Sequence, residues 1–516
     1  MKRPLIRRAA QVCAGTSRQR GVTMVLVALA MVAIIAMAAL SIDVITLYLA
    51  KEEAQRCADM SALAAARVIS ISGITGDPSN SGSTGSSSWQ AICGGSTSPA
   101  SQAATAVAMQ GVVGGTAANT VTVTYSAGGT SNADCSSLSS GGAFGVNPMV
   151  TVRIERTSLP NFFSRIWGNA GTNVSATATA EAFNPSFSAT LGNQSSGTII
   201  PVQPSCVKPW IVPNHDPRNP GPQNGLYCDQ SGAGGPGPCH TFVSASDGSI
   251  THTGISLNGT ATGGVIGEQF WLVPDCVYSG STCSLRPPSP QANIAATAHI
   301  KAPQNLEYLP GQTLSSSFAV PSCPGGSGSN YEKAIDGCDQ SAFYQCGVQW
   351  SASANPNLVD LSENPGGSGD TTNGVQCLIN QANNSDVGAS TGQDYLNTNG
   401  GAFGAPGVFP FQILEGSSNP LVTPGLASGS PITASTSIVA LPIYDDSAGA
   451  INGTGTTPVT IVGFLQVFIN AVDQFGNVNV TVLNVAGCSN GAGTYPVSSN
   501  AVTGTSPVPV RLITPP

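Results

Sequence analysis

One stretch near the start of the chain limits what the rest can become. Val22 to Ile42 reads VTMVLVALAMVAIIAMAALSI, without charge or proline and with only Thr23 and Ser41 as polar side chains. Coiled as a helix it is roughly 31 Å long, about the hydrocarbon thickness of a bilayer. A soluble helix keeps a polar side for water, and this one has none. The stretch therefore reads as a membrane span.

Its flanks predict its direction. Lys2, Arg3, Arg7, Arg8, Arg18 and Arg20 precede it with no acid among them; Asp43, Lys51, Glu52 and Glu53 follow. Basic residues in a short leader hold that side in the cytoplasm, so residues 43–516 are expected to be translocated across the membrane. The competing reading is a cleaved signal peptide, whose apolar region is about 7–15 residues and ends at a small-x-small site. Here the run is longer and passes unbroken into another helical pattern, which favours a retained anchor.

Length allows several domains, but the external part is unusual. Charged residues make up 9% of the chain, against about 25% in ordinary soluble domains. With 61 Gly and 37 Pro, it reads as strands joined by long polar loops. Apolar residues reach 41%, enough for a core. All 26 acids lie beyond the span with 12 of the 18 basic residues, and no external Lys/Arg cluster occurs. That acidic surface excludes nucleic acid as a partner. Of 14 Cys, Cys13 lies on the leader side and Cys57 in a helix near the membrane. The other twelve are expected in disulfides, with Cys276–Cys283 and Cys338–Cys346 as local bridges among many open pairings.

From Asp43 to Ser70 no Gly or Pro occurs and Ala, Leu, Glu, Arg and Met dominate, so the span and this segment read as one helix. Leu47, Ala54, Ser61 and Val68 repeat at seven-residue spacing beside Ala50, Cys57 and Ala64, a small apolar face on which another surface can approach closely. Gly73, Gly76 and Pro78 end the helix. A short helix is predicted over 102–113, strands over 121–125, 149–156 and 174–182, and a short helix over 158–168 with Phe162, Phe163, Ile166 and Trp167 as its packing face. Further strands are predicted at 187–190, 198–202, 268–273, 316–320, 436–444, 460–472 and 478–486, the last three as central antiparallel strands. Residues 323–410 read as a disulfide-pinned insertion, with helix at YEKAIDGCDQSAFYQC and around GQDYLN.

Chemistry is sparse. There are four His, and no HExxH, GxGxxG, GKS/T or GxSxG motif. Cys228, Cys239 and His240, with His215 upstream, fit no standard zinc spacing; disulfide and surface His is the plainer reading. Asp247-Gly-Ser249-Ile-Thr251 superficially resembles a metal loop of von Willebrand factor A domains, but no hydrophobic parallel strand precedes it, so a turn is expected. Asp445 and Asp446 begin a hairpin loop where calcium is the minor alternative. Trp210 reads as a buried anchor ahead of a ligand platform. The sequons at Asn173, Asn193, Asn258, Asn452 and Asn479 matter only in a glycosylating host. No catalytic, cofactor-binding or metal residue is assigned, no cofactor is expected, and no small-molecule substrate is evident.

The block RQRGVTMVLVALAMVAIIAMAALSIDVITLYLAKEEAQRCADMSALAAARV resembles the TadE/TadG-like proteins of the bacterial tight-adherence (Flp) pilus-assembly machinery. The features that carry the resemblance are the RxRG entry, the apolar span, Asp43 at its outer end, and the tail Ala58, Asp59, Ser61, Ala62, Leu63, Ala64, Ala65, Ala66. VTVRIERTSLPNFFSRIWG followed by VSATATAEA matches the strand, FF helix and Ala/Thr strand of TadG-like members. The specific match covers about the first 180 residues. Pilins and TadE-type pseudopilins carry Glu five residues after the cleavage Gly. Counted from Gly21 that position is Leu26, so the resemblance implies a TadG-like protein with an uncleaved anchor. It also implies pilin-like or Tad-apparatus partners and a place in the bacterial inner membrane, with residues 43–516 periplasmic or extracellular.

Together these readings predict an α+β protein. A basic tail (1–20) and a transmembrane helix (21–42) lead into a pilin-like unit (43–182) whose long helix packs on a small antiparallel sheet. A mainly β, loop-rich, disulfide-containing region (183–516) follows. The expected function is non-enzymatic: a membrane-anchored envelope protein assisting Flp/Tad pilus assembly, adherence or associated secretion. The alternatives are a stand-alone adhesin or carbohydrate-binding surface protein and, least favoured, an anchored hydrolase.

Overall fold

The computed structural model describes residues 19–71, 92–127, 130–135, 138, 148–161, 163, 168, 171–182, 188–190, 193–198, 202–204, 206–217, 241–245, 248, 250–251, 265–274, 276–279, 282–285, 305–311, 313, 328–337, 344, 357–360, 363, 369–381, 392–397, 413–422, 425–432, 434–445, 456–488, 502–504 and 506–513. Helix α1 (Gln19–Ile71) joins the span and the Ala-rich segment without a break over 53 residues, about 80 Å. No Gly or Pro interrupts it after Gly21. Helix α2 (Pro99–Gln110) starts with Pro at its first turn, where the missing N–H costs nothing, and ends at Gly111. The helix expected over 102–113 thus begins three residues earlier, and Val112–Val113 form a short strand instead.

Both helices pack on an antiparallel sheet built from β1 (Thr120–Ala127), β2 (Thr130–Asn132), β3 (Met149–Leu159) and β4 (Thr172–Ala182), in the spatial order β2-β1-β3-β4. Strict alternation sets the register. Val150, Val152 and Ile154 pair with Ala180, Ala178 and Ala176 on the buried face, and Thr151 opposite Thr179 on the other shares a 2.8 Å hydroxyl bond. Cys93 and Cys135 form a disulfide at the edge of this unit. The predicted 158–168 helix is not formed at its described positions: Ser158 and Leu159 continue β3, where the ladder to Thr172 takes their backbone, and Pro160, Asn161, Phe163 and Gly168 are not helical, while Phe162, Ile166 and Trp167 lie outside the described residues.

The outer region is organised on a closed six-stranded barrel: β5 (Trp210–Pro213), β6 (Gln269–Pro274), β7 (Asn305–Pro310), β8 (Ile438–Tyr444), β9 (Ile461–Val472) and β10 (Val478–Gly487), in the spatial order β5-β7-β6-β10-β9-β8. β8, β9 and β10 are successive antiparallel neighbours, as their long apolar runs suggest. Parallel pairing of β5 with β8, Val212 opposite Ile443, closes the ring. Buried apolar residues of all six strands, among them Trp210, Val212, Phe270, Leu272, Tyr308, Leu441, Leu465 and Val480, belong to one hydrophobic core that also takes in the α1 unit. The opposite parity of four adjacent strands, including Ile211, Leu309, Ala440 and Phe464, forms a second cluster beneath Tyr344 and Val359.

The last described strand, β11 (Val510–Ile513), leaves the barrel and pairs with β4, so the outer strand of the first sheet comes from the far end of the chain. Arg511, opposite Glu181 in that register, forms an ion pair with it. Two helices lie outside the barrel: α3 (Asn330–Asp336), capped by Ser329, and α4 (Asp370–Leu378). The helix expected around GQDYLN is not formed. Tyr395–Leu396 instead pair with Ile413–Leu414 in a small three-stranded sheet, because backbone pairing there outweighs weak local helix preference. Among the cysteines, Cys206, Cys377 and Cys488 are also disulfide-bonded and Cys57 is a buried free thiol. In the hairpin carrying Cys276 and Cys283, Cys276 stands opposite Leu285 and Cys283 opposite Tyr278. The predicted strand at 316–320 and the Cys338–Cys346 bridge lie outside the described residues.

Candidate functional site: the anchor helix and its seat

Two surfaces of α1 differ sharply. Most side chains from Val22 to Leu49 face outward with nothing packed on them, Met24 at 78% and Tyr48 at 71% exposure among them. Among the described residues this is the one helix long and apolar enough to cross a membrane. From Ala50 onward the helix enters the protein body. Ala50, Ala54, Cys57, Ala58, Ser61, Ala62, Ala65, Ala66 and Ile69 are buried, facing α2, β4 and β3. The small face predicted to receive a partner is therefore filled from within by the chain's own sheet and second helix. The reason is geometric: Ala on α1 meets Ala176, Ala178 and Ala180 on β4, so helix and strand backbones approach closely. A β-carbon on Gly111 would lie 2.1 Å from Cys57 Sγ, so this glycine too is set by the close approach. Burial, and secondarily Glu53, raises the Cys57 thiol above its ordinary range.

Polar groups stitch the edges of the seat. Lys51 Nζ donates to the Ser175 carbonyl, Gln55 Nε2 to that of Thr177 at 3.2 Å, and the Gly114 N–H to Glu53 Oε2 at 2.7 Å. Inside the unit the Tyr125 hydroxyl meets Ser101 Oγ at 2.8 Å.

The two ends of the seated segment are held by distant residues. At the membrane side Asp43, the first charge after the span, is only 5% exposed. Its two oxygens accept the backbone N–H of Phe163 at 3.3 and 3.2 Å. A carboxylate in that position fixes the FF segment against the helix where it leaves the apolar stretch. At the other end the Ser70 carbonyl, one of the four that a helix leaves without an internal partner, accepts Asn484 Nδ2 from β10. Ser70 Oγ donates to the Val508 carbonyl at 2.8 Å, just before β11. The barrel and the C-terminal strand thus cap the anchor helix. Asp43 stands out in the sequence as a charge beside a span; nothing local marks Asn484 or Val508.

A second feature is a cleft of about 790 Å³ lined in part by Arg67, Lys208, Asp336, Leu421, Ile438 and Gln466. Lys208 is buried, and burial, partly offset by Asp336, lowers its ammonium to about 7. A lysine so shifted can serve as a base, but its Nζ donates at 2.7 Å to both the Ile335 and Gly337 carbonyls. It therefore works as the C-cap of α3.

The other candidates divide simply. Trp210 is fully buried with its ring 6.0 Å from that of Tyr308, a packing anchor as expected. His215 is buried, while Cys228, Cys239, His240, Asp247 and Asp446 lie outside the described residues. Among the described residues no group of three or more His, Cys, Asp or Glu could hold a metal.

A bare apolar rod running into a helix-on-sheet unit is the form of a single-pass, helix-anchored protein. Residues 21–68 match the family model described as "Putative Flp pilus-assembly TadE/G-like", and residues 82–180 match "Putative Tad-like Flp pilus-assembly". The N-terminal region of the chain belongs to the TadE/TadG-like Flp pilus-assembly family. No curated protein and no solved structure matches the chain. Family membership is consistent with a non-catalytic envelope or assembly role.

Proposed function

We propose that the chain is a membrane-anchored envelope protein that assists Flp/Tad pilus assembly, adherence or the associated secretion apparatus, with pilin-like or Tad-apparatus proteins as partners. The N-terminus is cytoplasmic and residues 43–516 are external, in keeping with six basic residues before the span and none of the 26 acids there. The working division is a basic tail over 1–20, the span over 21–42, a pilin-like unit over 43–182 and an outer region over 183–516. The observation that carries this reading is the single unbroken helix, bare for its first half and seated on a sheet for its second. Because the seated face is already full, the surfaces left for partners are the bare rod and the outer region.

The test is made in a host that displays Flp pili. Protease added to spheroplasts should digest the outer region of the wild-type protein and spare residues 1–42. Replacing 183–505 by a short turn keeps β11 beside β4. That variant should insert normally and lose pilus display. Normal display by it, or a protease-resistant outer region in intact spheroplasts, would refute the reading.

A further inference from the structure

In the small three-stranded sheet beside the barrel, Tyr395 pairs with Leu414 and Leu396 with Ile413. One step further along that antiparallel register Asp394 stands opposite Glu415. Like charges directly opposed on one face repel, so this pairing needs something to offset it.

The surroundings treat the two carboxylates differently. Asp394 is buttressed: Oδ1 accepts the Gly416 N–H and Asn419 Nδ2, both at 2.9 Å, and Oδ2 accepts Asn419 Nδ2 at 3.2 Å and the Ser435 hydroxyl. Asn419 Nδ2 is shared between the two oxygens, so three donors fix the carboxylate in place. Glu415 is fully buried, and among the described residues neither Oε1 nor Oε2 has a hydrogen-bond partner. Its backbone is fixed by the third strand, with its N–H donating to the Ser430 carbonyl at 3.0 Å and its carbonyl accepting the Gly429 N–H at 2.8 Å. Among the described residues no Lys or Arg pairs with either carboxylate. A buried carboxylate with two bare oxygens beside a second carboxylate is a costly arrangement unless a cation joins them.

We propose that Glu415 and Asp394 bind a calcium ion that staples this small sheet. Glu415 supplies both oxygens, Asp394 the second negative charge beside them, and backbone carbonyls and water complete the shell. The donors are all oxygen, which suits a hard cation, and calcium tolerates six to eight such ligands in irregular geometry. Asn419, Pro420, Leu421 and Ser435 line the neighbouring cleft, and Asn419 and Ser435 both bond Asp394, so the ion would also set that wall of the cleft.

The full-length chain in detergent, stripped with a chelator, is titrated with CaCl₂ by calorimetry and by thermal unfolding. The expected result is one site with Kd on the order of 10⁻⁴–10⁻³ M, the range of external modules, and a higher unfolding midpoint with calcium. Glu415→Gln, nearly the same in shape, should weaken binding at least tenfold. Terbium bound beside Tyr395 should emit on tyrosine excitation, and Tyr395→Phe should cut that emission while leaving the calcium titration unchanged. No binding by the wild type up to 10 mM CaCl₂ overturns the proposal and means that Glu415 is simply protonated. Undiminished binding by Glu415→Gln overturns it as well. Should that variant fail to fold, terbium emission unaffected by Tyr395→Phe places the ion elsewhere and is equally decisive.

Discussion

Lys208 shows how one side chain writes a pH dependence into the fold. Between about 7, its value in the native protein, and its ordinary 10.5, the unfolded chain holds a proton that the native chain has released. Stability from this group therefore rises with pH across that window and is flat below it. Thermal midpoints at pH 7 and pH 9 should show the rise in wild type and a flatter response in Lys208→Met. Glu415 slopes the other way: burial, and then Asp394, raises its carboxyl, so the native state binds the extra proton and stability falls as pH climbs through the raised value. Without calcium, Glu415→Gln should unfold at a higher temperature than wild type at neutral pH. Asp43 is a third case. Asp43→Ala leaves the Phe163 N–H without its acceptor, at a cost of about 1–3 kcal/mol. Amide exchange at Phe163 should quicken in Asp43→Ala and much less in Asp43→Asn, which keeps an acceptor oxygen.

Among the elements, α1 behaves as two helices in one. Its seated half tolerates no growth: Ala58→Leu or Ala62→Leu forces the helix off β4 and α2 and should cost about 1–3 kcal/mol or more, read from denaturant midpoints. Met60, between them but half exposed, should accept Leu within about 0.5 kcal/mol. The Cys93–Cys135 disulfide closes a loop across 42 positions, and its reduction should cost about 2–4 kcal/mol, measured by unfolding with and without a reductant. At this scale much was legible. The 149–156 and 174–182 strands carry alternation, the span and the three late strands carry long apolar runs, and the fold honours each. GQDYLN did not yield to such reading, because its ladder partner, Ile413–Leu414, is seventeen or more residues away and carries the deciding hydrogen bonds.

For the whole molecule the telling feature is the return of the chain. β11 closes the sheet begun by residues 120–182, and Val508 and Asn484 hold the end of the anchor helix. Deleting residues 506–516 should uncover the edge of β4 and favour association, visible as a larger species on size exclusion in detergent. The variant that substitutes a turn for 183–505 should stay dispersed, since it retains the covering strand.

Sequence alone determined the anchor and the strands. Transfer of an apolar run out of water and the two- or 3.6-residue period of a backbone are set by near neighbours along the chain. What covers the small face of α1, how β5 meets β8 to close the barrel, and why Asp394 faces Glu415 were decided only in three dimensions. Those contacts join residues far apart in the chain, and their free energy exists only once the intervening loops have closed.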